Sequence, residues 1–240
     1  MSKKMNTLIT LPAFNEKKYI NNLIVQVKEY NLDILVIDDG STDGTQECLS
    51  TIGDIKLITH PKNLGYGNTI IDAFKYGIAN EYEYLVTMDC DGQHLPNEIP
   101  SFLDQIPNYD IVSGSRYLTS NGHRQNIPPD RYAINREITE ELNKITNLQL
   151  TDSFCGFKAY KVSALKLMNL TENSYGMPLQ LWIQAWRLGF QIKEIPVRLI
   201  YNDSSKRFGG ELDNPKTRLK YYREIMRREL SRETAHQVTV

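Results

Sequence analysis

Three times within the first 80 residues a short apolar run breaks off at a polar segment and a helix follows. Thr7-Leu8-Ile9-Thr10-Leu11 stops at Pro12, and the next helix carries Tyr19, Ile20, Leu23, Ile24, Val27 and Tyr30 on one side. Ile34-Leu35-Val36-Ile37 runs into Asp38-Asp39-Gly40-Ser41-Thr42-Asp43-Gly44-Thr45, where Asp43 is expected to cap a helix. Ile55-Lys56-Leu57-Ile58-Thr59-His60 leads through residues 61–68 to a helix with Ile70, Ile71, Phe74 and Ile78. Strands alternating with amphipathic helices bury their apolar faces by lining up as a parallel sheet under a helical layer. The expectation is an α/β fold whose ligands bind beyond the carboxyl ends of its strands.

The chemistry concentrates at Leu85-Val86-Thr87-Met88-Asp89-Cys90-Asp91-Gly92-Gln93-His94. A buried strand here runs into two carboxylates spaced i, i+2. On a strand such residues share a face, so Asp89 and Asp91 converge while Cys90 points away. Paired carboxylate oxygens suit a hard cation, Mg²⁺ or Mn²⁺, that also takes oxygens from a substrate diphosphate. Gln93 adds an amide oxygen and His94 is a candidate further ligand. The competing reading is a polar turn after a core strand. Asp38 or Asp39, past the second strand, could accept hydrogen bonds from a nucleobase or ribose. Gly65 and Gly67 would let backbone approach an anion at a helix N-terminus.

Pro12-Ala13-Phe14-Asn15-Glu16, the Val36–Thr45 segment, Asn63-Leu64-Gly65, the Asp89–His94 segment and Gly114-Ser115-Arg116-Tyr117 together resemble the family 2 glycosyltransferases. Their order and spacing look most like the dolichyl- or polyprenyl-phosphate sugar synthase branch, whose metal motif continues to a Gln-His pair. The resemblance is strong over roughly the first 120 residues and loose beyond. It implies a GT-A fold, Rossmann-like with a mostly parallel central sheet, a UDP- or GDP-linked sugar donor and a divalent metal on its phosphates. Carried onto this chain, Pro12, Phe14, Glu16 and Asp39 would line the nucleoside pocket with Asp38 beside them, and Asn63 and Gly65 would complete it. Asp89, Asp91 and Gln93 would serve the metal, and Arg116 the diphosphate or donor sugar.

Residues 110–117 read as a fifth strand with Arg116 at its exit, where a planar guanidinium can grip a phosphate with two parallel bonds. Residues 118–129 form a polar loop long enough to be functional. The helix entered at Pro128-Pro129-Asp130 has its apolar stripe at Ile134, Ile138, Leu142 and Ile145. It carries Arg131 and Arg136; Arg136 is the one expected to face the acceptor phosphate, because family members often hold a basic residue near it. Thr151-Asp152-Ser153-Phe154-Cys155-Gly156-Phe157-Lys158-Ala159-Tyr160 resembles the branch's acceptor-side segment, with Asp152 aimed inward as a catalytic candidate. Many family members that glycosylate a hydroxyl open the following helix with an acidic base. Here it opens Tyr175-Gly176-Met177-Pro178-Leu179-Gln180, with no carboxylate. A hydroxyl nucleophile needs a base, whereas a phosphate monoester, with a second pKa of about 6, is largely ionised already. The expected acceptor is therefore a polyprenyl or dolichyl phosphate, unless Asp152 or Asp203 acts as base on an alcohol.

A strand over residues 191–201 precedes a loop, 202–210, in which Lys206 and Arg207 are expected to close over phosphate. The last helix, residues 215–233, has an excess of Lys and Arg suited to anionic headgroups. Its apolar side (Leu219, Tyr222, Ile225, Met226) would pack on the domain or on a second copy in a homodimer. The domain expectation is a catalytic unit over 1–213, split into a nucleotide-sugar half (1–117) and an acceptor half (118–213), with a basic helix and tail at 214–240.

At 240 residues the chain can bury a sizeable core. A net charge of −1 and a pI near 6.4 give no basic field for nucleic acid. No apolar run approaches the roughly 18 residues a membrane span needs, and the polar start Met1-Ser2-Lys3-Lys4-Met5-Asn6 is unlike a signal peptide. Cys48, Cys90 and Cys155 lack metal-site spacing and fit a reducing cytoplasm, with the inner face of a membrane as the alternative location. The function expected is metal-dependent, inverting sugar transfer. The alternatives are transfer to a glycan hydroxyl in cell-surface polysaccharide synthesis, or a sugar nucleotidyltransferase, which would need a Gly-rich basic loop where Pro12–Glu16 stands.

Overall fold

The computed structural model describes residues 5–118, 127–198, 200 and 208–232. Seven strands, β1 (Thr7–Ala13), β2 (Asp33–Asp38), β3 (Lys56–Thr59), β4 (Tyr84–Thr87), β5 (Ile111–Ser115), β6 (Lys158–Lys161) and β7 (Ile192–Pro196), form one sheet in the order β3-β2-β1-β4-β6-β5-β7. All adjacent pairs are parallel except those made by β6, which runs antiparallel between β4 and β5. The mostly parallel α/β expectation holds, and its helical C-terminal region is present.

The period-2 alternation of the strands builds two separate cores. Leu8, Leu35, Leu85 and Ile111 point to one face. There they meet α3 (Tyr66–Ala79), α5 (Pro129–Thr146), α7 (Met177–Arg187) and α8 (Pro215–Ser231). Their chain neighbours Ile9, Val36, Val86 and Val112 point to the other face. That side is covered by α1 (Ile20–Lys28), α2 (Thr45–Ser50) and α4 (Ile99–Gln105). A short α6 (Val162–Leu165) completes the helices. Burying both faces explains why the inner strands read as continuous apolar runs.

Two expectations change. Residues 158–161 were not read as a strand, yet Lys-Ala-Tyr-Lys is the strand that joins β4 to β5. The strand before the paired acids ends at Thr87, so the acids stand on a turn at Gly92 (φ 75°) rather than on strand alternation. The apolar side of the last helix packs on the domain, one of the two expected places: Tyr222, Ile225 and Met226 belong to the same buried cluster as Trp182 and Leu179 of α7.

Strands β1, β2 and β3 step outward in one direction, whereas β4 returns to the opposite side of β1. Chain connections therefore diverge between β1 and β4, which opens a crevice at their carboxyl ends.

Candidate active site

Two joined cavities fill that crevice. The larger, about 540 Å³, is walled by residues 12–16 after β1, Asp39 after β2, Asn63, Gly65 and Tyr66 at the entry to α3, and residues 89–91 with Gln93 after β4. Its volume suits a small-molecule ligand. The smaller, about 180 Å³, extends under α5 and α8 and is lined by Arg116, Arg131, Arg218 and a set of aromatic rings. Tyr66, Asp89, Asp91, Gln93, Arg131, Tyr175 and Phe208 line both, so the paired acids stand at the junction.

The end of β1 is laced to the end of β2. Asn15, held at φ 58°, donates its backbone N–H to Ser41 Oγ (2.8 Å) and accepts the Thr42 amide on Oδ1 (2.8 Å). Asn tolerates this left-handed backbone better than most side chains. Glu16 N–H donates to Thr45 Oγ1 (2.9 Å), and Asp43 accepts the Thr45 amide (3.0 Å), consistent with the capping role read from the sequence. Pro12, Phe14 and Glu16 line the larger cavity.

Asp39 and Asp38 part company. Asp39 accepts from His60 Nδ1 (2.7 Å) and from the amides of Leu64 (2.8 Å) and Gly65 (2.9 Å). A carboxylate has about four lone-pair sites, so about one is left for a ligand. Asp38, 1 % exposed, accepts the Ser41 amide (3.2 Å) and does not line either cavity.

Gly65 and Gly67 do allow close approach, but of protein backbone. A Cβ on Gly67 would stand 2.7 Å from Asn173 C and 2.8 Å from Ser174 O. The Asn68 amide donates to Asn173 O (3.1 Å). The helix N-terminus expected to greet an anion is thus partly occupied by the 172–174 loop, and only Gly65 of the pair borders the cavity.

The acidic pair is held from below. Asp89 N–H donates to His94 Nδ1 (3.1 Å), and the Tyr66 hydroxyl lies 3.4 Å from Asp89 Oδ1. His94 is 4 % exposed, and burial drives its pKa down to about 4, so the ring is neutral and its Nδ1 is an acceptor. Its ring lies tilted against Phe157 (centroids 5.3 Å apart) and lines neither cavity; its Nδ1 holds the backbone of Asp89. Asp91 accepts Gln93 N (3.0 Å) and Gln93 Nε2 (2.6 Å), which leaves the amide oxygen of Gln93 as its end for a cation.

These are hard oxygen donors, the right chemistry for Mg²⁺ or Mn²⁺. Among the described residues no three His, Cys, Asp or Glu side chains make a ready cage. A small hard cation does not require one, since it commonly takes one or two carboxylates and completes its shell with waters and substrate phosphates. The residues present fit such an ion.

Arg116 leaves β5 and forks onto Asp152, Nε to Oδ2 (2.6 Å) and Nη2 to Oδ1 (2.9 Å). Asn135 Nδ2 (2.8 Å) and Phe154 N (3.1 Å) also donate to Asp152 Oδ1. Burial would raise the Asp152 pKa, but the guanidinium and the donated bonds outweigh it and lower it to about 2. A carboxylate with its oxygens so committed cannot take a proton near neutrality. Asp152 positions Arg116, which lines the smaller cavity.

Of the two arginines on α5, Arg131 lines both cavities and stands over Phe208 (4.8 Å). Arg136 is about two-thirds exposed and paired with Glu140 (3.0 Å), which corrects the expectation that it faces the site. Lys206, Arg207 and Asp203 lie outside the described residues, as do residues 119–126 of the polar loop. Gln180 is 1 % exposed and bonded to the amides of Thr171 and Glu172 (both 2.8 Å), a structural role. The site residues missed from sequence are Tyr66, Tyr175, Phe208 and Arg218. Tyr66 and Tyr175 stack at 5.9 Å and Phe208 meets Tyr175 edge-on at 5.0 Å. An aromatic beside a glycine at a helix entry, as in Gly65-Tyr66 and Tyr175-Gly176, was the available signal.

Residues 8–168 match the family model described as glycosyl transferase family 2. An undecaprenyl-phosphate mannosyltransferase of Micrococcus luteus is 29 % identical over 217 residues, 86 % of this chain and 89 % of that protein. A UDP-N-acetylglucosamine–dolichyl-phosphate N-acetylglucosaminyltransferase of Methanococcus voltae is 28 % identical over 226 residues, 85 % of this chain and 89 % of its own. The crystal structure of glucosyl-3-phosphoglycerate synthase from Mycobacterium tuberculosis, in complex with Mn²⁺, uridine diphosphate and phosphoglyceric acid, aligns with a TM-score of 0.73 over 97 % of this chain and 81 % of that one. At 16 % identity that likeness is one of fold.

Proposed function

The chain belongs to glycosyl transferase family 2, and from that premise we propose that it moves a sugar from a nucleoside-diphosphate sugar to a polyprenyl phosphate with a divalent cation at the acidic pair. The observation that carries this reading is the junction: one acid-lined wall shared by a nucleotide-sized cavity and an arginine-lined one. The donor's nucleoside lies among Pro12, Phe14, Glu16, Asn63 and Gly65, with Asp39 accepting a base or ribose hydrogen. Asp89, Asp91 and the Gln93 amide oxygen would hold Mg²⁺ or Mn²⁺, which would supply positive charge against the departing diphosphate. Arg116, kept rigid by Asp152, and Arg131 hold the acceptor phosphate in the smaller cavity.

No described side chain in that cavity is suited to deprotonate an alcohol. Its lining carboxylates are Asp89 and Asp91, committed to the cation, while Asp152 is ion-paired and Gln180 is an amide. A phosphate oxygen, ionised with a second pKa of about 6, attacks the anomeric carbon as the bond to the nucleotide diphosphate breaks, with inversion. The two relatives named for undecaprenyl and dolichyl phosphate support the same choice. An acceptor with a polyprenyl tail resides in a bilayer. The working enzyme then sits at a membrane surface, on the cytoplasmic side where nucleotide sugars are made, and Lys206 and Arg207 are further candidates for its phosphate.

The test is a thermal-shift panel of UDP- and GDP-sugars with and without Mn²⁺, followed by transfer assays. One nucleotide should stabilise the protein only with metal, by about 2.7 kcal/mol at a hundred times its Kd. Asp91→Ala should abolish that shift. Transfer should occur to polyprenyl phosphate and not to the free polyprenol; transfer to both alike, or no stabilisation by any nucleotide, defeats the reading.

A further inference from the structure

Gly156 lies on the turn between Asp152 and β6, away from any position where backbone conformation demands glycine. Its φ is not in the left-handed region, and other residues could adopt it. What it cannot accept is a side chain. A Cβ built there would stand 2.6 Å from both Cγ and Oδ1 of Asp89 and closer still to Oδ2; its three nearest neighbours are the three atoms of that one carboxylate group.

Neither backbone can back away. The Gly156 carbonyl accepts Thr87 Oγ1 at 2.7 Å, from the last residue of β4. The next residue, Phe157, is fully buried against Phe102 (4.1 Å) and gives its carbonyl to the Gly114 amide (2.8 Å). On the other side, Asp89 is tied by its amide to His94 (3.1 Å). With both backbones fixed, a methyl group at 156 leaves the Asp89 carboxylate as the part that must move.

We infer that Gly156 is a positioning residue for the cation: the missing side chain at 156 is the floor that sets where the Asp89 carboxylate meets the metal. The inference rests on the reading of Asp89 as a cation ligand. It adds that the acid's orientation is bounded from a segment more than 60 residues away in sequence, by bare backbone, opposite the hydroxyl of Tyr66 (3.4 Å). Groups that orient a metal ligand typically change metal affinity by 10- to 100-fold when altered.

The experiment titrates Mn²⁺ by electron paramagnetic resonance in the presence of the nucleoside diphosphate that stabilises the wild type. Four proteins are compared: wild type, Gly156→Ala, Asp89→Ala and the double variant. Gly156→Ala should keep the wild-type circular dichroism spectrum and bind Mn²⁺ at least about 10-fold more weakly. In the Asp89→Ala background the same change should have no further effect, because the atoms it collides with are gone. If Gly156→Ala alone fails to fold, a folded double variant supports the inference, since removing the carboxylate then relieves the clash. Wild-type Mn²⁺ affinity in Gly156→Ala, an equal loss in both backgrounds, or two unfolded alanine variants overturns it. A wild type that binds no Mn²⁺ with any nucleotide would instead bring down the donor-site reading on which it stands.

Discussion

Arg131 and Arg136 lie five residues apart on α5. At 100° per residue that places them about 140° apart around the helix axis, so they cannot share a face. The apolar stripe of α5 decides which one turns inward, and it selects Arg131. Arg131→Ala should raise the KM for polyprenyl phosphate at least about 10-fold, of the order expected for losing one charge-assisted bond. Donor KM should change little, and Arg136→Ala should behave as wild type in steady-state assays with either substrate varied. His94 yields a second prediction at this scale. Its folded pKa of about 4 lies below the ordinary value of 6.5. Between those values the unfolded chain binds the extra proton, so the stability contribution is intact above pH 6.5 and is lost as pH falls toward 4. The loss is on the order of 3 kcal/mol at about 1.4 kcal/mol per pKa unit. His94→Asn can still accept the Asp89 amide without titrating; its unfolding free energy, measured by urea at pH 7 and pH 5, should fall less steeply with acid than that of the wild type.

At the level of elements, the entry to α3 shows a glycine pair used for protein packing. Gly67 lies against the carbonyls of residues 172–174, and those belong to a loop pinned by Gln180, whose amide oxygen takes two backbone N–H groups. Gly67→Ala forces backbone against backbone, a kind of overpacking that costs about 1–3 kcal/mol. A lowered midpoint in urea denaturation, with nucleotide affinity following only as far as stability does, is the expected outcome. A purely ligand-directed role would instead reduce affinity at unchanged stability. The short strand β6 makes the complementary point. Lys-Ala-Tyr-Lys has no strong strand signature, yet Lys158 is 3 % exposed, with Nζ on the Cys155 carbonyl and over the Trp182 ring (5.4 Å). The open slot between β4 and β5, with unpaired backbone on both sides, makes it a strand.

For the whole molecule, α8 ties α5, α7 and the loop at Glu172 into one body. Its buried Glu229 accepts Gln180 Nε2 and Gln184 Nε2 (both 2.7 Å) from α7, and Arg218 reaches Asp130 at the start of α5 (2.6 Å). Arg223 engages Glu137 and Glu141 of α5, and Arg228 pairs with Glu172. Much of the positive charge that suggested a lipid-facing helix is therefore neutralised within the fold. Among the described residues no helix is long and apolar enough to cross a membrane. Removing residues 214–240 would uncover the buried side of α7 and leave Gln180 and Gln184 without their carboxylate. The truncated 1–213 chain should accordingly be insoluble or lack a cooperative thermal transition; a soluble fragment that still binds nucleotide with Mn²⁺ would show that α8 is dispensable after all.

The alternating strands and helices of the first 87 residues, the acid pair and the proline-led loop after β1 could be read directly, because each is a local pattern: apolar period, turn chemistry, carboxylates at a strand's end. Local pattern also named the residues near the donor cavity. It could not tell Asp39 from Asp38, or Arg131 from Arg136, because neighbours in sequence diverge according to what packs on them. Nor could it foresee that Asp152 is locked to Arg116, that His94 serves the backbone, or that Gly156 borders Asp89. Those facts arise from contacts between distant segments, and the availability of a carboxylate depends on which donors the fold brings to it, not on the residue itself.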